Sequence, residues 1–299
     1  MKVLVCDKTE KECIEEMRAA GLTVDTNFEI TPEDLMTTLP AYDVAVVRSR
    51  TKIRQPLIDV CPNLKLIVRG GVGLDTIDVE YARGKGVTVK NTPLASSDSV
   101  AELAIGYMFM MARSLYKASE TMKAEKWEKK AFNGDEIGGK TLGLIGVGNI
   151  GKATARRAAA LGMTVVAYDP FVKELAEAKL VSLDELLAQA DYISLHLPKT
   201  KESANMIGAE QFAKMKDGVR IINCARGGII NEDALYEALT SGKVAAAALD
   251  VFVEEPPTDW KLLKLDNVIG SPHIGAATKE GQGRVGAEVA QIVIDFAKK

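Results

Sequence analysis

Between residues 143 and 170 the chain reads GLIGVGNIGKATARRAAALGMTVVAYDP. Gly146, Gly148 and Gly151 hold the G-x-G-x-x-G spacing, behind an apolar run, TLGLIG, and ahead of a helix-forming stretch. That context gives the motif its meaning. Gly146 permits a tight turn, Gly148 lets backbone approach a pyrophosphate, and Gly151 lets helix and strand pack closely. Asn149 and Ile150 open the helix, whose free N–H groups and positive dipole end would face the phosphates. An acid is expected about 20 residues on, at the end of the next strand. Asp169 closes VVAYD. Its carboxylate can accept from ribose hydroxyls and would repel a 2′-phosphate, so the pattern favours NAD over NADP. Arg156 and Arg157 lie on the helix and take no part in this reading. The plain alternative is a glycine-rich structural turn.

Three more residues could do chemistry together. Arg226 lies in NCARGG after the run GVRIIN, Glu255 in DVFVEEPP after VAAAALDVF, and His273 in SPHIGA after NVIG. Each follows a strand, and ligands of open α/β sheets sit beyond strand ends. An arginine clamps a carboxylate through two parallel bonds. A histidine exchanges a proton near neutral pH. A carboxylate beside it would hold one tautomer and favour the imidazolium. Taken singly, each has a plainer reading: a solvated loop charge, a surface acid in a Pro-rich turn, and a satisfied histidine at a helix start.

Positioning such residues takes ordered elements, and the chain alternates accordingly. In the first part, MKVLVCD, LTVD, DVAVVRS, LKLIVRG and GVTVKN read as strands between helix-compatible stretches. That alternation predicts a parallel sheet covered by helices. A long helix is expected from Ser97 or Asp98 to about Leu115, with an extension toward Lys126. The second alternation, from KTLGLIG to NVIGSP, carries the glycine motif. The last segment places Val285, Val289, Ile292, Val293 and Phe296 on one helical face. The expected fold is therefore α/β, with two Rossmann-like or flavodoxin-like domains of parallel sheets. If the last helix returns to the first domain, that domain is discontinuous: residues 1–96 with 274–299, around a cofactor domain at 97–273.

Hydrophobic content of 47% and charged content of 26% suit a globular protein with a buried core. A net charge of −3 argues against nucleic acid as the main partner. The longest apolar stretch, residues 100–112, is too short to span a bilayer and carries Glu102. No cleavable signal pattern opens the chain. Cys6, Cys13, Cys61 and Cys224 show no ligand spacing, and with only two histidines no metal site is expected. A reduced, cytoplasmic protein is the expectation.

Over nearly its whole length the chain resembles the D-isomer-specific 2-hydroxyacid dehydrogenases. GGVGLDTID, VAELAIGYM, GLIGVGNIGK, YISLHLPKT, INCARGGIINEDAL, ALDVFVEEP and SPHIGAAT carry the resemblance. It implies that Arg226 binds the substrate carboxylate and carbonyl, that Glu255 supports His273, and that His273 is the acid/base. It also implies cofactor contacts at Cys224 and Ala225, and at Asp250 near the nicotinamide carboxamide. The early residues would form a substrate-binding domain, with the active site in the cleft between domains. A homodimer through VAELAIGYMFMMARSL is expected, although the same helix could be an intramolecular core element.

Selectivity falls to the first domain. Arg48, Ser49 and Arg50, with Lys52, make a compact basic loop suited to a phosphate, unless these are solvated charges at a strand end. Gly71, Val72 and Gly73 offer backbone N–H groups that could hold a carboxylate in a nest. The RSRT loop looks like the phosphate loop of the phosphoglycerate dehydrogenases within the family. The implied substrate is a small phosphorylated 2-hydroxy acid, 3-phosphoglycerate, oxidised to 3-phosphohydroxypyruvate at the start of serine synthesis. The chain resembles the short form of that group, so serine feedback through an extra domain is not expected. The rivals are a glyoxylate or hydroxypyruvate reductase of the same family and a non-enzymatic NAD-sensing corepressor-like scaffold.

Overall fold

A computed structural model describes all 299 residues. They divide into two compact units, Met1–Ser97 with Ala276–Lys299, and Asp98–Gly275. The first sheet comprises β1 (Lys2–Val5), β2 (Thr23–Thr26), β3 (Val44–Val47), β4 (Leu66–Arg69) and β5 (Thr88–Asn91). All pairings are parallel, in the order β2-β1-β3-β4-β5. This is the flavodoxin-like order, and it demands crossover helices. These are α1 (Lys11–Ala19), α2 (Pro32–Thr38), α3 (Gln55–Asp59) and α4 (Val79–Gly84). The strands read as nearly unbroken apolar runs because both faces are covered. Leu4, Ala45, Val47 and Ile67 pack on one side with Leu35, Leu57 and Val89. Val3, Val5, Val44, Val46, Leu66 and Val68 face the other.

The expected long helix is two. α5 (Ser97–Arg113) ends at Ser114, which takes a left-handed φ of 47°, and α6 (Leu115–Lys123) starts afresh. The cause is local competition for a carbonyl. Asp135 N–H donates to Ala112 O, an oxygen that a continuing helix would need for its own ladder.

The second sheet runs through β6 (Thr141–Ile145), β7 (Thr164–Tyr168), β8 (Lys179–Leu180), β9 (Tyr192–Leu195), β10 (Val219–Asn223), β11 (Val244–Leu249) and β12 (Val268–Gly270). All strands are parallel, in the order β12-β11-β10-β9-β6-β7-β8. Counted from β6, this is the Rossmann order 3-2-1-4-5-6 with one strand added. Its helices are α7 (Asn149–Ala160), α8 (Leu183–Gln189), α9 (Ala209–Lys214) and α10 (Glu232–Thr240). The order reverses between β6 and β9, the switch point at which such sheets hold their ligands.

The last helix, α11 (Lys279–Ala297), returns to the first unit. Val285, Val289, Ala290 and Val293 join the cluster of Val3, Val5, Met17 and Val68. The first unit is discontinuous because this helix covers a sheet face that its own crossovers leave open.

Candidate active site

The glycine loop runs from the end of β6 into α7. Two of its glycines are dictated by the protein itself. Gly146 has φ 91°, and a Cβ there would lie 2.5 Å from His196 O. A Cβ on Gly151 would lie 2.3 Å from Gly146 O. Gly148 differs: a Cβ there would meet nothing within 4 Å. No internal contact explains its bare backbone, but a phosphate approaching the N-terminus of α7 would. Gly148 is also the N-cap of α7 and brings no side-chain cap to that end. Asn149 is exposed and Ile150 half-buried at the first helical positions. Asp169, just past β7, accepts Val147 N–H at 2.9 Å on Oδ2 and Phe171 N–H at 2.9 Å on Oδ1. Two of its roughly four acceptor sites stay for ribose hydroxyls. The residues present fit a dinucleotide.

Arg226, Glu255 and His273 follow β10, β11 and β12, three adjacent strands of one sheet. Buried Asn223 shapes the Arg226 loop: its Oδ1 accepts Ala225 N–H at 3.0 Å and its Nδ2 donates to Arg226 O at 3.0 Å. Arg226 Nη1 donates to Ala225 O at 2.7 Å. Gly227 lets this loop lie flat on the segment after β11, since a Cβ there would sit 1.7 Å from Phe252 O. Glu255 Oε1 accepts Phe252 N–H at 3.2 Å, and its Oε2 lies 2.6 Å from His273 Nδ1. A carboxylate only accepts, so Nδ1 carries the proton of this bond and Nε2 is the nitrogen left for other chemistry.

The His273 turn is held from beneath. His273 takes a left-handed φ of 52°, which costs about 1–2 kcal/mol in a residue with a Cβ. Its N–H donates to Asp250 O at 2.9 Å. The Asp250 carboxylate, 1% exposed, accepts Ile274 N–H and Gly275 N–H, each at 2.8 Å, and the Ser271 hydroxyl. Hydrogen bonds to a charged group contribute about 1.5–3 kcal/mol each, which outweighs the strain. The expected carboxamide contact at Asp250 thus has one acceptor site left to it. Cys224 is buried in the cluster with Ile222 and Ala248, and burial raises its thiol pKa, with Asp250 adding to the effect. It is a neutral packing group at the strand end, beside Ala225.

In the first unit the basic loop is knitted to a single acid. Asp7, 4% exposed, accepts Arg48 N–H and Thr51 N–H on Oδ2, and Arg50 Nε and Thr51 Oγ1 on Oδ1. Arg50 also donates to Ile30 O at 3.1 Å and Cys6 O at 2.7 Å. Arg48 reaches Gln282 Oε1 on α11, and Ser49 is exposed. Neither arginine is a simple solvated charge. The expected nest of Gly71, Val72 and Gly73 needs a correction. Gly71 N–H donates to Thr92 Oγ1 at 2.7 Å, so one of its three donors is already committed.

The sequence profile described as "D-isomer specific 2-hydroxyacid dehydrogenase, NAD binding domain" matches residues 105–275. The chain belongs to this family. A D-3-phosphoglycerate dehydrogenase of Archaeoglobus fulgidus is 49% identical over the whole chain, which spans 58% of that protein's length. A hydroxypyruvate reductase of Thermotoga maritima is 50% identical over 97% of this chain and 96% of its own. Among solved structures, a D-lactate dehydrogenase of Aquifex aeolicus complexed with NAD and lactic acid is 32% identical, with a TM-score of 0.87. That match covers 100% of this chain and 96% of the other. The cofactor of the family domain is NAD. No helix is long and apolar enough to cross a membrane.

Several residues of this family member escaped the sequence reading. Asp7 ends the first strand run, where an acid carries no motif. Arg69 ends β4, and its guanidinium lies across the Gly71 backbone, 1.8 Å from where a Cβ would stand. Gly227 was hidden inside ARGG. His196, past β9, puts its carbonyl against Gly146, shares a hydrogen bond of 2.9 Å between Nε2 and Ser194 Oγ, and leaves Nδ1 buried without a partner. Burial lowers its pKa to about 4. The signal was available, since it is one of two histidines and follows a strand-like run.

Proposed function

We propose that the chain oxidises 3-phosphoglycerate to 3-phosphohydroxypyruvate, and catalyses the reverse reduction, with the chemistry centred on His273. The observation that carries the acid/base chemistry is the 2.6 Å contact between His273 Nδ1 and Glu255 Oε2, at adjacent strand ends with Arg226. The phosphorylated substrate is supported by the basic loop of Arg48, Ser49 and Arg50 and by the relatives named D-3-phosphoglycerate dehydrogenase. NAD, when bound, supplies the hydride acceptor in oxidation. Gly146, Gly148, Asn149, Ile150 and Gly151 would hold its pyrophosphate and Asp169 its ribose, and Cys224, Ala225 and Asp250 would line the nicotinamide end. His273 Nε2 takes the substrate's hydroxyl proton in oxidation and returns it to the keto oxygen in reduction. Glu255 fixes the tautomer and compensates the imidazolium charge. Arg226 holds the substrate carboxylate and stabilises the charge that develops on the keto oxygen. Arg48, Ser49 and Arg50 are the phosphate residues of this reading, and Val72 and Gly73 remain as donors for a carboxylate.

A second reading has its own support. Arg50 already serves Asp7, Ile30 and Cys6, and the Thermotoga relative named as a hydroxypyruvate reductase matches nearly end to end. Hydroxypyruvate reduction needs no phosphate loop. The test follows NADH absorbance with 3-phosphohydroxypyruvate, hydroxypyruvate and glyoxylate in parallel. A kcat/KM at least tenfold higher for the phosphorylated acid supports the first reading. Equal or faster turnover of hydroxypyruvate replaces it with the second. No turnover of any of the three removes both and favours an NAD-sensing scaffold.

A further inference from the structure

A chain of hydrogen bonds ends on Asp250 from the far side of the His273 turn. Tyr107, on the buried face of α5, bonds through its hydroxyl to Ser271 Oγ, and Ser271 Oγ bonds to Asp250 Oδ1. The direction of the chain follows from the groups. An ionised carboxylate only accepts, so Ser271 donates to Asp250, and its lone pair takes the proton of Tyr107. Tyr107 is 3% exposed, and burial raises its phenol pKa, so the donor proton stays in place across the neutral range.

We propose that Tyr107 and Ser271 are positioning residues for His273, and that the chain from the Tyr107 hydroxyl through Ser271 to Asp250 pins the turn that carries the imidazole. The inference rests on the reading of His273 as the acid/base. Its warrant is a contrast in exposure. The side chains of His273 and Glu255 are 45% and 38% exposed, and a pair so open to water contributes little rigidity by itself. The fixed reference is Asp250, which gathers Ile274 N–H, Gly275 N–H and Ser271 Oγ on one buried carboxylate while its carbonyl takes His273 N–H. Those donors come from residues 271, 273, 274 and 275, on both sides of the imidazole. Ser271 is the only side chain among them, and Tyr107 keeps it in the rotamer that reaches Asp250. Residues held this way define a reacting group's direction within the narrow tolerance that proton transfer requires.

The test compares Ser271→Ala, Ser271→Thr, Tyr107→Phe and His273→Asn in the full chain, with thermal melts to confirm folding. Tyr107→Phe removes one oxygen and leaves the ring packed among its neighbours. Ser271→Ala is expected to lower kcat about tenfold and Tyr107→Phe about threefold, with KM for NAD within twofold of the parent. Ser271→Thr, which keeps the hydroxyl, restores most of the rate. The downfield proton resonance of His273 Nδ1–H gives a second readout in a chain with two histidines; it broadens in Ser271→Ala and returns in Ser271→Thr. Parental kcat and an unshifted resonance in folded Ser271→Ala overturn the proposal, as does equal loss in Ser271→Ala and Ser271→Thr. A fully active His273→Asn instead overturns the acid/base reading, an outcome read from a different variant.

Discussion

Two arginine-bearing loops, one in each unit, look alike in sequence and are built differently. The RSRT loop after β3 holds two arginines, and both are drawn into the protein's own bonding: Arg50 to Asp7, Ile30 and Cys6, and Arg48 to Gln282. The CARGG loop after β10 holds one arginine; Asn223 and Gly227 shape its backbone, and Arg226 Nη1 donates to Ala225 O. The two loops differ in where the buried acid sits. In the first unit Asp7 bonds the arginine loop itself. In the second, Asp250 bonds the turn beside the histidine.

The contrast predicts opposite signatures for two similar substitutions. Arg226→Ala should cost about 10³-fold in kcat/KM, the scale of losing a transition-state donor. Arg50→Ala should instead destabilise the fold by about 2–3 kcal/mol, because it strips a partner from a buried carboxylate, and Asp7→Asn should do likewise. Denaturant melts beside steady-state assays separate the two. If Arg50→Ala leaves stability intact and removes only the turnover of a phosphorylated acid, the two loops are alike after all.

A smaller effect sharpens the cofactor half of the comparison. Asp169→Ser removes the carboxylate that would face a 2′-phosphate. The preference for NAD over NADP should fall about tenfold, measured as a ratio of kcat/KM values. The variant also loses the bond to Val147 N–H, so part of the change should appear as weaker binding of both cofactors.

A separate effect is a pH dependence that originates in the second unit. Burial lowers the pKa of His196 from 6.5 to about 4. Between those values the unfolded chain holds a proton that the folded chain lacks, so stability rises with pH. Acidification from about pH 6.5 toward pH 4 should therefore remove up to about 3 kcal/mol through this group. His196→Asn should flatten that slope in urea melts taken across the window.

Much of this was legible in the residues. The alternation of apolar runs with helical stretches announced two parallel sheets, and the apolar face of Val285, Val289 and Val293 explained why the last helix returns to the first. The motifs at Gly146, Arg226, Glu255 and His273 marked the strand ends because each uses a residue type with restricted chemistry. What stayed hidden depends on contacts between distant segments. The break at Ser114 comes from Asp135 taking the Ala112 carbonyl, 23 residues away, which no local propensity contains. The roles of Asp7 and of the Tyr107–Ser271 pair arise the same way, from ordinary residues placed side by side by the fold.

The most direct test of the account is the turnover of His273→Asn with NADH and the best of the three keto acids, set beside its dissociation constant for NADH. Asparagine keeps much of the polarity at the turn and removes the exchangeable proton at Nε2. The account predicts that kcat falls about 10³-fold, within the range supplied by general acid–base catalysis, while NADH binds within twofold of the parent. A kcat within tenfold of the parent would contradict it, and would move the proton-transferring group away from the His273–Glu255 pair.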